Sequence, residues 1–319
     1  MDNPCRRDSE RAGACIIPSG GCQGSIRPAM LILSCSSKLQ LLEGVLRQSL
    51  PETLPVLGAV MNISRGNPAG HEVLVDSWPN FKAVLTRPRK EVVTDDSDFY
   101  ANMYSAFYRD LGAYRALLSS PGAINWAQTF RIHGLQDSVC EASRDIAKAK
   151  GFQVYPSTYL VYLLPSSSTV PDVRLDPAMR LSNLDVSHVN LLNETWPYGG
   201  NEQSRRYIAM LIRGFPSTCF LDATGCPISW TITDPFGALT HGYTLPEHRG
   251  RGYVSALSFI LAQQIRTQGY PVYGSVALDN HRMQRLLQFH GFQCRTKLCR
   301  IIFHSPVPGK FPAWVLPDF

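Results

Sequence analysis

The sharpest chemical signal in this chain is a basic, glycine-bearing segment, Tyr243-Thr244-Leu245-Pro246-Glu247-His248-Arg249-Gly250-Arg251-Gly252-Tyr253-Val254. Leu239–Leu245 reads as a strand, and Val254, Leu257, Leu261 and Ile265 recur at helical spacing, so the glycines fall where a strand passes into a helix. A helix start exposes amides that have no partner within the helix, and its dipole favours negative charge. Gly250 and Gly252 let a backbone approach phosphate oxygens that a Cβ would hold off, and Arg249 and Arg251 add charge-assisted contacts. The chemistry implied is a pyrophosphate cradle. Arg-Gly-Arg-Gly alone also fits a plain turn with solvated arginines; the neighbouring elements favour the cradle. The chain has no Gly-x-x-x-x-Gly-Lys-Ser/Thr and no Gly-x-Gly-x-x-Gly, which argues against kinase-type P-loops and dinucleotide folds.

The elements around this turn form a mixed α/β pattern in two halves. Lys38–Leu50 is expected as a helix, Val56–Ile63, Glu72–Val75 and Lys82–Thr86 as strands, Ser97–Tyr108 and Gln136–Lys150 as helices, and Tyr159–Leu164 as a strand. Pro165–Pro171 reads as a linker, after which strands at Met179–Leu184, Thr218–Leu221, Ile228–Thr233 and Val272–Leu278 accompany a helical pattern from Ser187 to Ile212. A short helix to His290 and a closing hairpin through Ile301–Phe303 end the pattern. The expected organisation is an extension over 1–29, an N-terminal domain over 30–164, a linker over 165–171 and a C-terminal domain over 172–319. No close repeat appears, yet both halves read as a mixed sheet with helices, as a duplicated and diverged architecture would.

Composition sets the remaining bounds. The 319 residues are 44% hydrophobic and 18% charged with a formal charge of +6, enough to bury cores and too evenly spread for nucleic-acid binding by bulk electrostatics. The longest apolar stretches, Tyr159–Leu164 and Ala256–Ala262, fall far short of a membrane span of about 20 residues. Nine cysteines include no C-x-x-C pair and no zinc-ligand cluster, so no metal is expected. Spacing leaves a Cys219–Cys226 or Cys294–Cys299 pair open; reduced thiols in an intracellular protein, mitochondrial or cytoplasmic, are the expectation.

The strand, basic turn and helix, followed by a strand and Asp279-Asn280, resemble the acyl-CoA-dependent N-acyltransferases of the GNAT superfamily, whose motif is Arg/Gln-x-x-Gly-x-Gly/Ala. Arg249 to Tyr253 occupy its first five positions, and Val254 the last. More widely the chain resembles the glycine N-acyltransferase family, through Arg65-Gly66-Asn67-Pro68, Val73-Leu74-Val75-Asp76-Ser77-Trp78-Pro79, Asn125-Trp126, Gly199-Gly200-Asn201-Glu202-Gln203 and Gly242-Tyr243-Thr244-Leu245-Pro246-Glu247-His248-Arg249. The resemblance implies a GNAT-type fold in the C-terminal half, a diverged one in the N-terminal half, and transfer of an acyl group from acyl-CoA to glycine or a similar small amine. Acyl-CoA is then a co-substrate, with no tightly bound cofactor. It also implies an oxyanion donor among the amides of Tyr243, Thr244 and Leu245, and pantetheine contact at Asn280.

Two departures accompany the resemblance. The family's general base, a glutamate, matches Ala238, which cannot take a proton; His241 is the nearest imidazole. Regular alternation puts Leu239 and His241 on one strand face and Ala238 and Thr240 on the other, so only a bulge would bring His241 to the base position. The tyrosine that many GNAT enzymes use as an acid matches Leu287. Binding machinery is thus better preserved than proton-transfer machinery, and an acyl-CoA-binding protein with weak or lost turnover stays open. Arg205 and Arg206 are candidates for an acceptor carboxylate, Trp196, Trp230 and Tyr243 for an acyl pocket, and Asn201 for a helix cap.

Overall fold

The computed structural model describes residues 30–168 and 179–306, with the backbone alone at 296–299. The expected extension over 1–29, residues 169–171 of the expected linker and the tail from 307 lie outside the described residues.

Short 3-10 turns aside, the chain runs β1 (Leu31–Leu33), α1 (Ser36–Arg47), α2 (Leu54–Ser64), β2 (His71–Val75), β3 (Ala83–Pro88), β4 (Met103–Tyr108), α3 (Leu111–Ser119), β5 (Phe130–Gly134), α4 (Ser138–Ala149) and β6 (Gln153–Leu164). The same order then recurs: β7 (Arg180–Ser182), α5 (Val189–Thr195), α6 (Glu202–Gly214), β8 (Ser217–Leu221), β9 (Pro227–Thr233), β10 (Leu239–Thr244), α7 (Tyr253–Thr267), β11 (Val272–Ala277), α8 (His281–Phe289) and β12 (Gln293–Ser305).

All twelve strands among the described residues join one sheet, ordered β1-β2-β3-β4-β5-β12-β6-β11-β10-β9-β8-β7. Two pairs are parallel, β4 with β5 and β10 with β11, at equivalent places in the two halves. Each half gives its last strand to the other: β6 pairs with β11, and β12 with β5. This exchange puts β6 and β12 side by side at the centre of the sheet.

The parallel pairs differ in one respect that matters for function. β4 and β5 keep register over three pairs, Met103↔Arg131 to Ser105↔His133. β10 and β11 meet only at Leu239↔Gly274 and then part. At that meeting point a Cβ on Gly274 would sit 3.1 Å from the Leu239 carbonyl oxygen, so the residue's size limits how closely the strands approach.

Four expectations are corrected. Val56–Ile63 lies in α2, not in a strand; every residue from Leu54 to Met61 is buried, and a short apolar run buried all round shows no period to distinguish the two. Ser97–Tyr108 is not a helix: its second half is β4, preceded by a turn in which the Asp98 carboxylate accepts the Tyr100 and Ala101 amides at 3.0 and 3.1 Å. The helical pattern from Ser187 breaks into α5 and α6 around Gly199-Gly200. The closing hairpin is one long strand, β12, with a register shift between Cys294 and Leu298. α3 and β5 were not anticipated, and β6 begins six residues earlier than expected.

The helix after the glycine turn packs as its spacing predicts. Leu257, Leu261 and Ile265 are buried, each worth about 1.5–3 kcal/mol relative to exposure. Asn201 caps α6 reciprocally with Ser204. Cys219, Cys226 and Cys294 are free thiols, so neither suggested pair forms a disulfide, and burial pushes the Cys219 thiol up to about 11.

Candidate active site

The turn is built as the sequence predicts. β10 leads through Pro246–His248 into Arg249–Gly252, and Gly252 caps α7. Gly250 and Gly252 have φ of 82° and 74°, where a side chain is strained. The first hydrogen bond of α7 runs from the Ala256 amide to the Gly252 carbonyl, so Val254 and Ser255 present amides without an intrahelical acceptor. They border an open cleft of about 420 Å³ together with Gly242, Thr244, Arg249 and Asn280.

The other expected binding residues separate by position. Arg249 lies over the Tyr243 ring at 5.3 Å, and its Nε donates to the Thr244 carbonyl at 3.0 Å. Arg251 is exposed and does not line the cleft. The Tyr253 side chain packs edge-on against Phe220 in the core, at 5.4 Å between ring centres. Asn280 caps α8 through its Oδ1, leaving its amide NH2 as the group available to a ligand. Tyr243 stacks on the buried Trp230.

Strand geometry separates the three expected oxyanion donors. The Leu245 amide donates to the Ile228 carbonyl of β9, and amides alternate edges along a strand. Thr244 therefore directs its amide to the other edge, where β11 has parted from β10.

A second cavity, of about 150 Å³, opens at the centre of the sheet. Ala238, just before β10, lines it together with Leu239, Thr240 and His241 of β10, where a bulge interrupts regular alternation: from Thr240↔Ile232 to Tyr243↔Trp230, β10 advances three residues against two on β9. His241 takes up the irregularity at φ 53°, a left-handed conformation costing roughly 1 kcal/mol for a non-glycine residue. The bulge thus brings His241 to the cavity that Ala238 lines. Its ring lies 4.4 Å from that of Trp196. Burial, reinforced by the Arg131 charge, pushes its pKa down to about 3.

Three polar residues of this cavity escaped the sequence reading. Asp234, in the β9–β10 turn, accepts the Phe236 and Ala238 amides at 2.9 Å each, and burial outweighs those bonds to push its carboxyl up to about 6. Arg131 and His133 come from β5. The available signal was the alternation Phe130-Arg131-Ile132-His133, two polar residues at period 2 in an apolar setting.

Arg205 and Arg206, expected near an acceptor carboxylate, do not reach this cavity. Arg205 pairs with Glu202 at 2.7 Å and Arg206 with Asp95 at 2.9 Å, both on the exposed side of α6. Leu287, at the acid position, is buried against the core of α7 and β11. Among the described residues no cluster of metal-ligating side chains occurs, and no helix is long and apolar enough to cross a membrane.

Residues 30–216 match the family described as aralkyl acyl-CoA:amino acid N-acyltransferase, and residues 218–298 match its C-terminal region. A bovine glycine N-acyltransferase is 35% identical over 302 residues, covering 89% of this chain and 98% of its own. The human glycine N-acyltransferase is 34% identical over the same coverage, and a bovine glycine N-phenylacetyltransferase 35% identical over 78% of this chain and 90% of its own. Among solved structures, a Drosophila protein superposes with a TM-score of 0.70 at 17% identity over 87% of this chain and 98% of its own. A tandem GNAT protein from the clavulanic acid biosynthesis pathway superposes at 0.50 and 14% identity, over 88% of this chain and 99% of its own. The fold is of the GNAT type, and the chain belongs to the aralkyl acyl-CoA:amino acid N-acyltransferase family.

Proposed function

We propose that this protein transfers an acyl group from acyl-CoA to the amino group of glycine by direct attack, releasing N-acylglycine and CoA. The observation that carries the reading is the open turn at the start of α7 beside the parted β10–β11 edge. In this reading the CoA pyrophosphate meets the Val254 and Ser255 amides, with Arg249 adding charge. The pantetheine amides extend along the free edge of β10 towards Asn280. The Thr244 amide donates to the thioester oxygen as it gains negative charge.

The acceptor nitrogen attacks the thioester carbon, a C–N bond forms, and the C–S bond breaks to release CoA thiolate. A proton must leave the amine. Asp234 and His241 both border the central cavity, and the one nearer neutrality is the stronger base at pH 7. Asp234 therefore takes the proton in place of the glutamate that Ala238 lacks, and His241 stays neutral. With leucine at 287, the thiolate takes its proton from water.

Steady-state thiol release from acyl-CoA with and without glycine tests the proposal. Glycine-dependent release with matching N-acylglycine supports it, and a stoichiometric burst of CoA without glycine overturns direct attack. Ala238 and Leu287 favour a second reading, an acyl-CoA-binding protein without turnover. CoA binding with no release towards any amine would establish that one instead.

A further inference from the structure

Arg131 is 8% exposed, on a strand whose five residues are all buried. Its Nη2 donates to the Tyr100 carbonyl at 3.2 Å and to the Met103 sulfur at 2.7 Å. No carboxylate oxygen of the described residues comes within the 4.0 Å of an ion pair, and its Nε is enclosed without a hydrogen-bond partner. The acids nearby are engaged elsewhere: Asp98 faces Arg206 at 3.7 Å, and Asp234 holds two backbone amides. Two residues along the same face of β5, His133 has an enclosed Nε2 that is likewise unpartnered.

Such an arrangement is costly for a protein that binds nothing there. A guanidinium does not shed its proton, so it cannot escape burial by becoming neutral. A buried, unpaired charge is strongly disfavoured, and an enclosed donor without an acceptor adds to that. Both unpartnered groups belong to residues lining the central cavity, which Asp234 and His241 also line. The Arg131 guanidinium carbon lies 5.5 Å from the Tyr207 ring centre, and that ring centre 6.3 Å from His241. The His133 ring lies 4.7 Å from Phe236, in the turn shaped by Asp234. Strands far apart in the sheet order thus converge across one small space.

We propose that Arg131, assisted by the Nε2–H of neutral His133, receives the α-carboxylate of the acceptor, so that the site accepts α-amino acids and rejects amines lacking that group. The proposal rests on the acyl-transfer reading above and assigns it an acceptor subsite from the N-terminal half. A carboxylate fits the requirement because its two oxygens satisfy the planar donor fork together, and its charge offsets that of the guanidinium. A carboxylate at the far end of the acyl chain has the same chemistry, and the test separates the two sources.

The experiment compares the unaltered protein, Arg131→Gln and Arg131→Lys. Acceptors are glycine and glycinamide, and donors are benzoyl-CoA and glutaryl-CoA. The expected result is glycine preferred over glycinamide by at least a hundredfold in kcat/KM, a preference lost in Arg131→Gln and partly restored in Arg131→Lys. The KM for glycine rises at least a hundredfold in Arg131→Gln while that for benzoyl-CoA stays within threefold. Equal use of glycine and glycinamide by the unaltered protein overturns the proposal whether or not Arg131→Gln folds. So does an Arg131→Gln effect confined to glutaryl-CoA, which would give the guanidinium to the acyl chain. A readout without turnover is thermal stabilisation by N-acetylglycine, against N-acetylglycinamide, in the presence of CoA. If no amine is acylated yet N-acetylglycine alone stabilises the protein and does so only with Arg131, the transfer reading fails and the carboxylate subsite stands. If glycine is acylated equally well without Arg131, the subsite fails and the transfer reading stands.

Discussion

Asp234 and His241 line one cavity, and burial moves them in opposite directions, the carboxyl up to about 6 and the imidazole down to about 3. Both shifts have one cause, since desolvation disfavours whichever form is charged. At pH 7 the pair holds an ionised carboxylate of raised basicity beside a neutral imidazole. A carboxyl that titrates near 6 suits proton removal close to neutrality far better than an imidazole that titrates near 3.

Asp234→Asn should therefore lower kcat at pH 7 by a hundredfold or more, general base catalysis being worth about 10²–10⁴. The same Asp234 oxygen accepts both turn amides, so asparagine can preserve the turn while losing basicity. The sign of the pH dependence follows from the carboxylate being the active form: kcat falls as pH drops through about 6, tenfold per unit, and this limb disappears in Asp234→Asn. His241→Asn, which tolerates the left-handed backbone, should keep the limb and lose less than tenfold. A pH–rate profile at saturating glycine decides between the two residues. A limb lost with His241 and kept without Asp234 reverses the assignment.

Arg249 and Arg251 flank the same glycine yet should behave differently. Arg249 borders the cleft and is steadied by Tyr243 and the Thr244 carbonyl, whereas Arg251 is exposed and does not line it. Arg249→Ala should weaken CoA binding about tenfold, as loss of one charge-assisted phosphate contact does, and Arg251→Ala less than threefold. Calorimetric titration with CoA measures both, and equal losses would show that the phosphates lie further out than the cleft.

The strand-to-helix glycine turn was legible in the sequence because each of its requirements is local: alternation into the turn, glycines within it, and a helical stripe after it. Asn201 as a cap was legible for the same reason. Asp234 and Arg131 were not, because the local sequence shows at most an alternation at Arg131 and His133 and nothing of the cavity that both residues line. Asp234 reads as an ordinary turn former, and only the closing of the sheet around it withholds water. Arg131 lies on a strand hidden among short apolar runs, and its significance depends on β10, which lies four strands away in the sheet order. His241 needed a bulge, and a histidine at positive φ leaves no mark in residue types. The exchange of β6 and β12 was equally invisible, since a strand's partners are set by the whole sheet.

Gly252→Ala isolates the conformational part of the turn. A Cβ there meets nothing within 4 Å, so the cost is that of φ 74° alone, roughly 1 kcal/mol. For a chain of 319 residues that lowers Tm by about 1–2 °C. If the turn instead relaxes to a negative φ, the amides of α7 turn away, CoA affinity falls and Tm is kept. Measuring both quantities on one sample distinguishes strain from rearrangement.

Acidification should destabilise the fold before most carboxylates titrate. His71 and His304 are almost wholly buried, and burial pushes them down to about 4 and about 3; His133 is displaced the same way. Between pH 6.5 and those values the unfolded chain binds protons that the folded chain refuses, so stability is fully present above 6.5 and is lost as pH falls. At pH 5 each fully displaced histidine forfeits about 2 kcal/mol. Asp234 works against this, because its raised pKa makes the folded state the better proton binder between about 4 and 6. The histidines outnumber it, so Tm should decline steadily from pH 7 to pH 5. His304→Gln, if it folds, should flatten that decline, and an unchanged slope would mean that His304 does not contribute to the acid sensitivity.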